Sequence, residues 1–218
     1  MSGTLHIGLI SGVFLLKFFR DRQNSYMHTG LTCRWSGRRR PCARQLFVRQ
    51  KIQMHKILVS SCLVGLPIRY NGRDKPTNAE IVSRWRNEDR LVHICPEVSA
   101  GFNTPRPPAE ITNGDGVDVL SEAAMVIEAT EADVTKLYIH GAEMALQLAV
   151  RHNVKVALLT DGSPSCGSSY IYDGSFTGKK KKGIGVTTAL LEKNGIKVFP
   201  DSQIEDADEY LRRAENST

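Results

Sequence analysis

Three cysteines lie in segments made mostly of small and apolar residues. They are Cys62 in LVSSCLVG, Cys95 in VHICPEVSAG and Cys166 in SPSCGSSYIYDGSFTG. Thiolates bind soft and borderline metals, and four of them would close a structural zinc site. Three thiolates leave one position open, and an iron–sulfur cluster held by three of them keeps one iron free for a substrate. The glycines and serines beside Cys166 would let backbone N–H groups approach such a negatively charged cluster.

Two simpler interpretations of the same cysteines stay open at this point. Free cysteine is among the most buried residue types and packs as a small hydrophobic side chain, so the chain could be a metal-free ligand-binding protein. Alternatively, the three thiols could hold zinc or iron for structural reasons, in a metal-binding module without catalysis. Metal content separates these interpretations.

Short apolar segments rich in β-branched residues alternate with helical patterns. The apolar segments are typical of buried strands and occupy residues 56–62, 91–97, 154–160 and 196–200. The helical patterns occupy residues 77–88, 134–153, 185–195 and 202–213. Thr77 and Glu80 have the spacing of a capping box, and Gly195 is a typical C-terminal glycine. The alternation predicts an α/β layered domain with a mostly parallel sheet flanked by helices.

This topology places the three cysteines at one edge of the sheet. Cys62 ends the first predicted strand, Cys95 lies near the end of the second, and Cys166 follows the third by six residues. In open α/β sheets, ligands bind beyond the carboxyl ends of the strands. We therefore expect a cluster or ligand site at that edge.

The basic charge of the chain belongs to its first part. Residues 1–53 contain eight Arg, two Lys and one acid, a net charge of +9, so the whole-chain value of +6 leaves −3 for residues 54–218. We expect one α/β domain over residues 54–218. Residues 1–53 are an N-terminal extension: an over-extended start before Met54, a disordered tail, or a targeting segment, since the Arg-rich part has the composition of a mitochondrial transit segment.

The cysteine count indicates free or metal-bound thiols. The chain has five cysteines, an odd number, and no CxxC pair, which argues against a disulfide framework. Cys33 and Cys42 lie in the extension, and we assign them no role. We expect a reducing compartment, the cytoplasm, or the mitochondrion if residues 1–53 are a genuine transit segment.

Four segments in order resemble one known family. KILVSSCLVGLPIRYNG, HICPEVSAGFNTPRPPAEI, SPSCGSSYIYDGSFTG and GIGVTTALLEKNGIKVF look like the successive motifs of the family catalogued as domain of unknown function 523, whose characterised members include 2-thiouracil desulfurases. The resemblance covers about residues 54–200, and the usual start of the family falls at Met54. It implies a [4Fe-4S] cluster, with Cys62, Cys95 and Cys166 at the positions of its ligands.

The same resemblance implies a reaction without net electron transfer. The sulfur of a thiolated pyrimidine, such as 2-thiouracil, would bind the unique iron, and water would replace it at the carbon, so that the thiocarbonyl becomes a carbonyl and sulfide is released. The cluster would act as a Lewis acid. The substrate would be a small thio-base, with thiolated nucleotides or RNA as the alternative.

Water attack needs a proton acceptor, and Glu97 is the first candidate. It lies two residues after Cys95 and could face the same side of that strand. Ser163 and Ser165 flank Cys166 and could orient water or donate to the cluster, although serines are also common in turns. Arg106 is expected to be structural or to line the pocket.

The segment GKKKKG, residues 178–183, departs from the family pattern. Four consecutive lysines are typical of a solvated loop. Near a helix N-terminus they could also attract an anion, such as a nucleotide phosphate or an RNA backbone. This is the basis for keeping RNA as an alternative partner; the sequence predicts no oligomeric state and no membrane association.

Overall fold

A central sheet of four parallel strands organises the protein. The computed structural model describes residues 54–216, and the predictions made for residues 1–53 lie outside this range. The strands have the order β2-β1-β5-β8, with bounds β1 Ile57–Ser60, β2 Leu91–Ile94, β5 Val156–Leu159 and β8 Lys197–Pro200. Ile57 lies opposite Leu91 on one side and Val156 on the other. The predicted parallel α/β sheet is confirmed.

Helices cover both faces of this sheet. They are α1 Ala79–Asn87, α2 Pro96–Ser99, α3 Gly116–Leu120, α4 Thr135–Arg151, α5 Val186–Lys193 and α6 Ile204–Asn216. Strand β1 buries residues on both sides: Ile57 and Val59 pack with Trp85 of α1 and Leu211 of α6. Leu58 packs with Ala145 of α4 in a second cluster. A strand that is buried on both faces consists of consecutive apolar residues, so β1 could be recognised in the sequence.

Two separate two-stranded antiparallel sheets accompany the central sheet, and neither was predicted. One joins β3 Ala109–Thr112 to β4 Met125–Glu128, and the other joins β6 Tyr170–Tyr172 to β7 Lys180–Lys182. The lysine segment is therefore a strand and not a loop, because its backbone pairs with β6. These strands have only three or four residues, too few to show a strand pattern in the sequence.

Several predicted boundaries need correction. Strand β1 ends at Ser60, and a 3-10 helix, Ser61–Val64, carries Cys62. Strand β2 ends at Ile94, and Glu97 lies in the first turn of α2 rather than on the strand, because proline is favoured at the start of a helix. Asn78, not Thr77, caps α1, accepting from the N–H groups of Glu80 and Ile81. Within residues 54–216, each helix is too short or too polar to cross a bilayer.

Candidate active site

A pocket of about 330 Å³ opens at the carboxyl edge of the central sheet. Cys62 reaches it from the 3-10 helix after β1, Cys95 from the end of β2, and Cys166 from the loop after β5; all three line the pocket. They are free thiols, Cys62 and Cys166 buried and Cys95 half-buried. The three loops that the sequence predicted to meet are therefore adjacent.

Each thiol has a hydrogen-bonding neighbour. Cys62 Sγ lies 2.9 Å from Thr160 Oγ1, at the end of β5. The Cys95 thiol, at the N-terminus of α2, accepts from a backbone N–H of that helix, and the Ser60 hydroxyl contacts the Cys166 thiol. Such contacts favour the thiolate form that binds metal.

Burial opposes that thiolate form. It raises the pKa of Cys62 and of Cys95, and it raises the pKa of Cys166 furthest of the three. The charge of Cys95 adds to the rise at Cys166. Burial thus favours the protonated thiols. Three thiolates this close together would need a positively charged group, such as a metal core, to offset their negative charges. The donor set thus fits an iron–sulfur cluster.

The spacing of the donors does not fit a single ion. Three thiolates on one zinc lie about 3.8 Å apart, since each Zn–S bond is about 2.3 Å. In the part of the chain that the structure describes, no group of three or more His, Cys, Asp or Glu side chains could hold one metal ion. In a cluster the cysteines bind different irons, so their sulfurs are further apart.

The Cys166 loop is fastened to the start of α5. The N–H groups of Val186 and Thr187 donate to the carbonyls of Pro164 and Ser165, both at 2.9 Å. The Thr188 hydroxyl donates to the Cys166 carbonyl at 3.0 Å. The segment GIGVTTALL, which leads into α5, therefore holds the Cys166 loop in place. The sequence alone did not show this structural role.

Close backbone approach requires a glycine at this junction. A Cβ on Gly185 would lie 2.3 Å from the Ser165 carbonyl oxygen, which no packing adjustment of a side chain can relieve. Any larger residue would push the Cys166 loop away from α5.

A buried carboxylate holds the other end of the same loop. Asp161 accepts from the N–H groups of Ser168 at 2.9 Å and Ser169 at 3.0 Å, and from the Ser169 hydroxyl. Burial alone would raise the pKa of Asp161, but these hydrogen bonds outweigh it and hold the pKa below its usual value. The position of Cys166 is thus fixed from both sides.

Glu97 lies in the pocket within a hydrogen-bonded network. Its Oε2 accepts from Arg106 Nε at 2.8 Å and Nη2 at 2.6 Å, and from the Tyr138 hydroxyl at 3.2 Å. Arg106 is itself held by the carbonyls of Ile68 and Asn103. Oε1 accepts from Ser163 Oγ at 3.3 Å. One carboxylate oxygen is therefore occupied by fixed donors, while the other faces the cysteine loop.

The two serines that were candidates differ in their surroundings. Ser163 lines the pocket, and its Oγ also accepts from the N–H groups of Ser165 and Cys166 at 3.1 and 3.2 Å. Ser165 is buried, its hydroxyl lies 2.8 Å from Thr187 Oγ1, and it does not line the pocket. Ser163 is placed to act near Cys166, whereas Ser165 is placed to fix the loop on α5.

Sequence reasoning missed several residues of this site. Thr160 and Ser60 end buried strands at the expected edge, and that position was the available signal. Tyr138 shows only the helical period of a core residue, so its contact with Glu97 could not be predicted. Arg106 was expected to be structural or to line the pocket, and it does both.

The comparisons with known proteins agree on one group. A model of the 2-thiouracil desulfurase family matches residues 57–203. The uncharacterized protein YbbK of Bacillus subtilis (strain 168) is 45% identical over 150 residues, which are 69% of this chain and 98% of YbbK. The solved structure of the [4Fe-4S]-dependent thiouracil desulfidase TudS (DUF523Vcz) is 40% identical, with a TM-score of 0.66, over 72% of this chain and 98% of that one.

Proposed function

This chain belongs to the 2-thiouracil desulfurase family, and from that premise we propose that its carboxyl-edge pocket desulfurates a thiolated pyrimidine. The predictions of the family, of an α/β thiouracil desulfurase and of a [4Fe-4S] cofactor are confirmed by the family match and the TudS structure. The observation that carries the residue assignment is the meeting of Cys62, Cys95 and Cys166 in one pocket beside Glu97.

The three thiols would hold the cluster. When bound, it supplies a Lewis-acidic iron that attracts the thiocarbonyl sulfur and weakens its bond to carbon. The overall exchange consumes one water: its oxygen becomes the new carbonyl, and the sulfur leaves as hydrogen sulfide or its anion. No electron is gained or lost, so no redox partner is required.

We assign Glu97 Oε1 as the base that takes a proton from the attacking water. Arg106 and Tyr138 fix the carboxylate through Oε2 and leave Oε1 directed at the Cys166 loop. A base held in one orientation adjacent to the reacting carbon needs no rearrangement during the step.

Ser163 is assigned an orienting role, and Ser165 a structural one. The Ser163 hydroxyl donates a hydrogen bond to Glu97 Oε1. When the carboxylate takes up a proton, the same hydroxyl can donate to a bound water or to the substrate instead. Ser165 holds Thr187 instead and keeps Cys166 in position.

The form of the substrate is proposed as a free thio-base. The pocket volume suits a single small ring. Action on nucleotides or RNA and a cytoplasmic location stay predictions. The alternative of a non-catalytic metal module is not better supported by the family match or by the TudS structure.

The test uses protein purified and reconstituted without oxygen. We expect about four irons per chain and sulfide release from 2-thiouracil. Cys62→Ser, Cys95→Ser and Cys166→Ser should each lose both, while Cys33→Ser and Cys42→Ser, which make the same chemical change outside residues 54–216, should lose neither. Iron without sulfide release from 2-thiouracil would contradict the proposed free thio-base substrate, and absence of iron would contradict the cluster ligands.

A further inference from the structure

Phe176 has an unusual backbone conformation for a large apolar residue. Its φ is +56°, and the other described non-glycine residues with positive φ are Asp, Asn or Glu. A bulky side chain in this region is strained and persists only where the surrounding structure imposes it. Phe176 lies in the turn between β6 and β7 and lines the pocket.

A buried carboxylate imposes this conformation. Glu110 Oε2 accepts from the N–H groups of Gly174 at 2.8 Å and Phe176 at 3.1 Å. Glu110 is only 8% exposed. Burying a carboxyl group costs free energy unless it is hydrogen-bonded, and here the N–H groups of the turn supply those hydrogen bonds, so the two features fix each other. The turn is further fixed by Asp173, which accepts from the Ser175 N–H at 3.0 Å.

The turn holds an aromatic ring at the pocket opening. Phe176 is 39% exposed although it lines a pocket, and so is Tyr70, at 42%. Among residues 54–216, the aromatic ring pairs are Phe102 with Tyr138 and Phe199 with Tyr210, so neither Phe176 nor Tyr70 packs against another aromatic ring. A partly exposed aromatic ring that lines a pocket for a planar ring can stack on that ring.

We propose that Phe176 is a specificity-determining residue that stacks on the planar pyrimidine of the substrate, and that Glu110 is the positioning residue that holds it there. This inference rests on the proposed function for its substrate class. It predicts that the enzyme distinguishes a planar, unsaturated base from a puckered, saturated one with the same polar groups. Stacking of a base on an aromatic side chain changes affinity by about tenfold.

Binding of uracil and 5,6-dihydrouracil to the reconstituted holoenzyme tests the proposal by calorimetry. Both lack the sulfur, so affinity does not depend on turnover. Wild type should prefer uracil by about tenfold, Phe176→Tyr should keep this preference, and Phe176→Leu and Phe176→Ala should lose it with iron content unchanged. The leucine variant retains apolar bulk, so it separates stacking from simple burial.

The positioning role of Glu110 has its own readout. Glu110→Ala should raise KM for 2-thiouracil about as much as Phe176→Ala does, with kcat and iron content unchanged. Glu110→Gln keeps an acceptor oxygen for the turn, so its KM should stay close to that of wild type. An unchanged uracil preference in Phe176→Ala, or no preference in wild type, would overturn the proposal. Failure of wild type to release sulfide would instead contradict the proposed function, and the uracil measurement would still decide the stacking.

Discussion

Two buried carboxylates in this protein have nearly the same surroundings and different tasks. The side chains of Glu97 and Asp208 are 11% and 10% exposed. Glu97 accepts from Arg106 and the Tyr138 hydroxyl. Asp208 accepts from Arg84 at 2.5 Å and from Trp85 Nε1 at 2.8 Å. Burial and ion pairing alone would not tell which one belongs to the site.

The second carboxylate oxygen distinguishes them. Asp208 Oδ1 holds α6 to α1 through Arg84 and Trp85, and Oδ2 is bound at 2.6 Å by Arg212 of α6 itself, so both oxygens are occupied by structural contacts. The second oxygen of Glu97 meets only the longer contact with Ser163, in a pocket that contains three thiols. An oxygen with spare acceptor capacity, directed into a cavity, is what a general base requires.

The largest expected effect separates the two residues by activity. Glu97→Gln keeps the shape and the Arg106 contact but removes the base, so kcat for 2-thiouracil should fall by about 10² to 10⁴-fold. Asp208→Asn should leave kcat of the folded protein unchanged. Steady-state sulfide release, with iron content and visible absorbance as controls for cluster loading, measures both. A fully active Glu97→Gln enzyme would remove Glu97 from the mechanism.

The second effect separates them by stability. Asp208→Asn should lower the free energy of unfolding by about 1 to 2 kcal/mol, because it weakens charged hydrogen bonds that are partly screened by solvent. Urea unfolding followed by far-UV circular dichroism measures this loss. A loss no larger than that of an exposed change such as Glu209→Gln would show that the Asp208 network contributes nothing to folding.

The same comparison has a pH dependence with a definite sign. Burial would raise the pKa of Asp208, but the hydrogen bonds from Arg84 and Trp85 outweigh it and lower the pKa. A carboxylate with a lowered folded pKa stabilises the protein above its unfolded pKa, about 3.9, and loses this contribution as the pH falls through the folded value. The stability gap between wild type and Asp208→Asn should therefore be constant near neutral pH and narrow on acidification below about pH 4. A gap that widens on acidification would contradict this assignment.

The fold was predictable where hydrophobic patterning was strong. All four strands of the central sheet were found because both faces are buried, and their parallel order brought Cys62, Cys95 and Cys166 to one edge as expected. The strands of the two small antiparallel sheets were missed because they are only three or four residues long, and because β3 buries a glutamate and β7 consists of lysines. Strand pairing there is set by tertiary contacts that a local pattern does not contain.

The site was predictable in its cysteines and only partly in its polar groups. Glu97 was selected because it follows Cys95 by two residues, yet the helix that begins at Pro96 places it, not strand alternation. Ser163 and Ser165 were equivalent in the sequence, and only the contact of Ser165 with Thr187, 22 residues later, separates them. Pairings across such distances depend on how loops pack.

The smallest expected effect tests how firmly Glu97 must be held. Tyr138→Phe removes one neutral donor at 3.2 Å from Oε2, while both Arg106 contacts remain. Burial and then the charge of Glu97 raise the pKa of Tyr138, so the hydroxyl is a neutral donor throughout the assay range. Loss of one such hydrogen bond should lower kcat by about three- to fivefold.

Tyr210→Phe makes the same chemical change at a ring that is 43% exposed on α6 and does not line the pocket, so it should leave kcat unchanged. Equal kcat values for Tyr138→Phe and Tyr210→Phe would mean that Arg106 alone positions Glu97. A fall of 10²-fold or more for Tyr138→Phe would mean that the hydroxyl takes part in proton transfer, and the base would then have to be assigned to Glu97 and Tyr138 together.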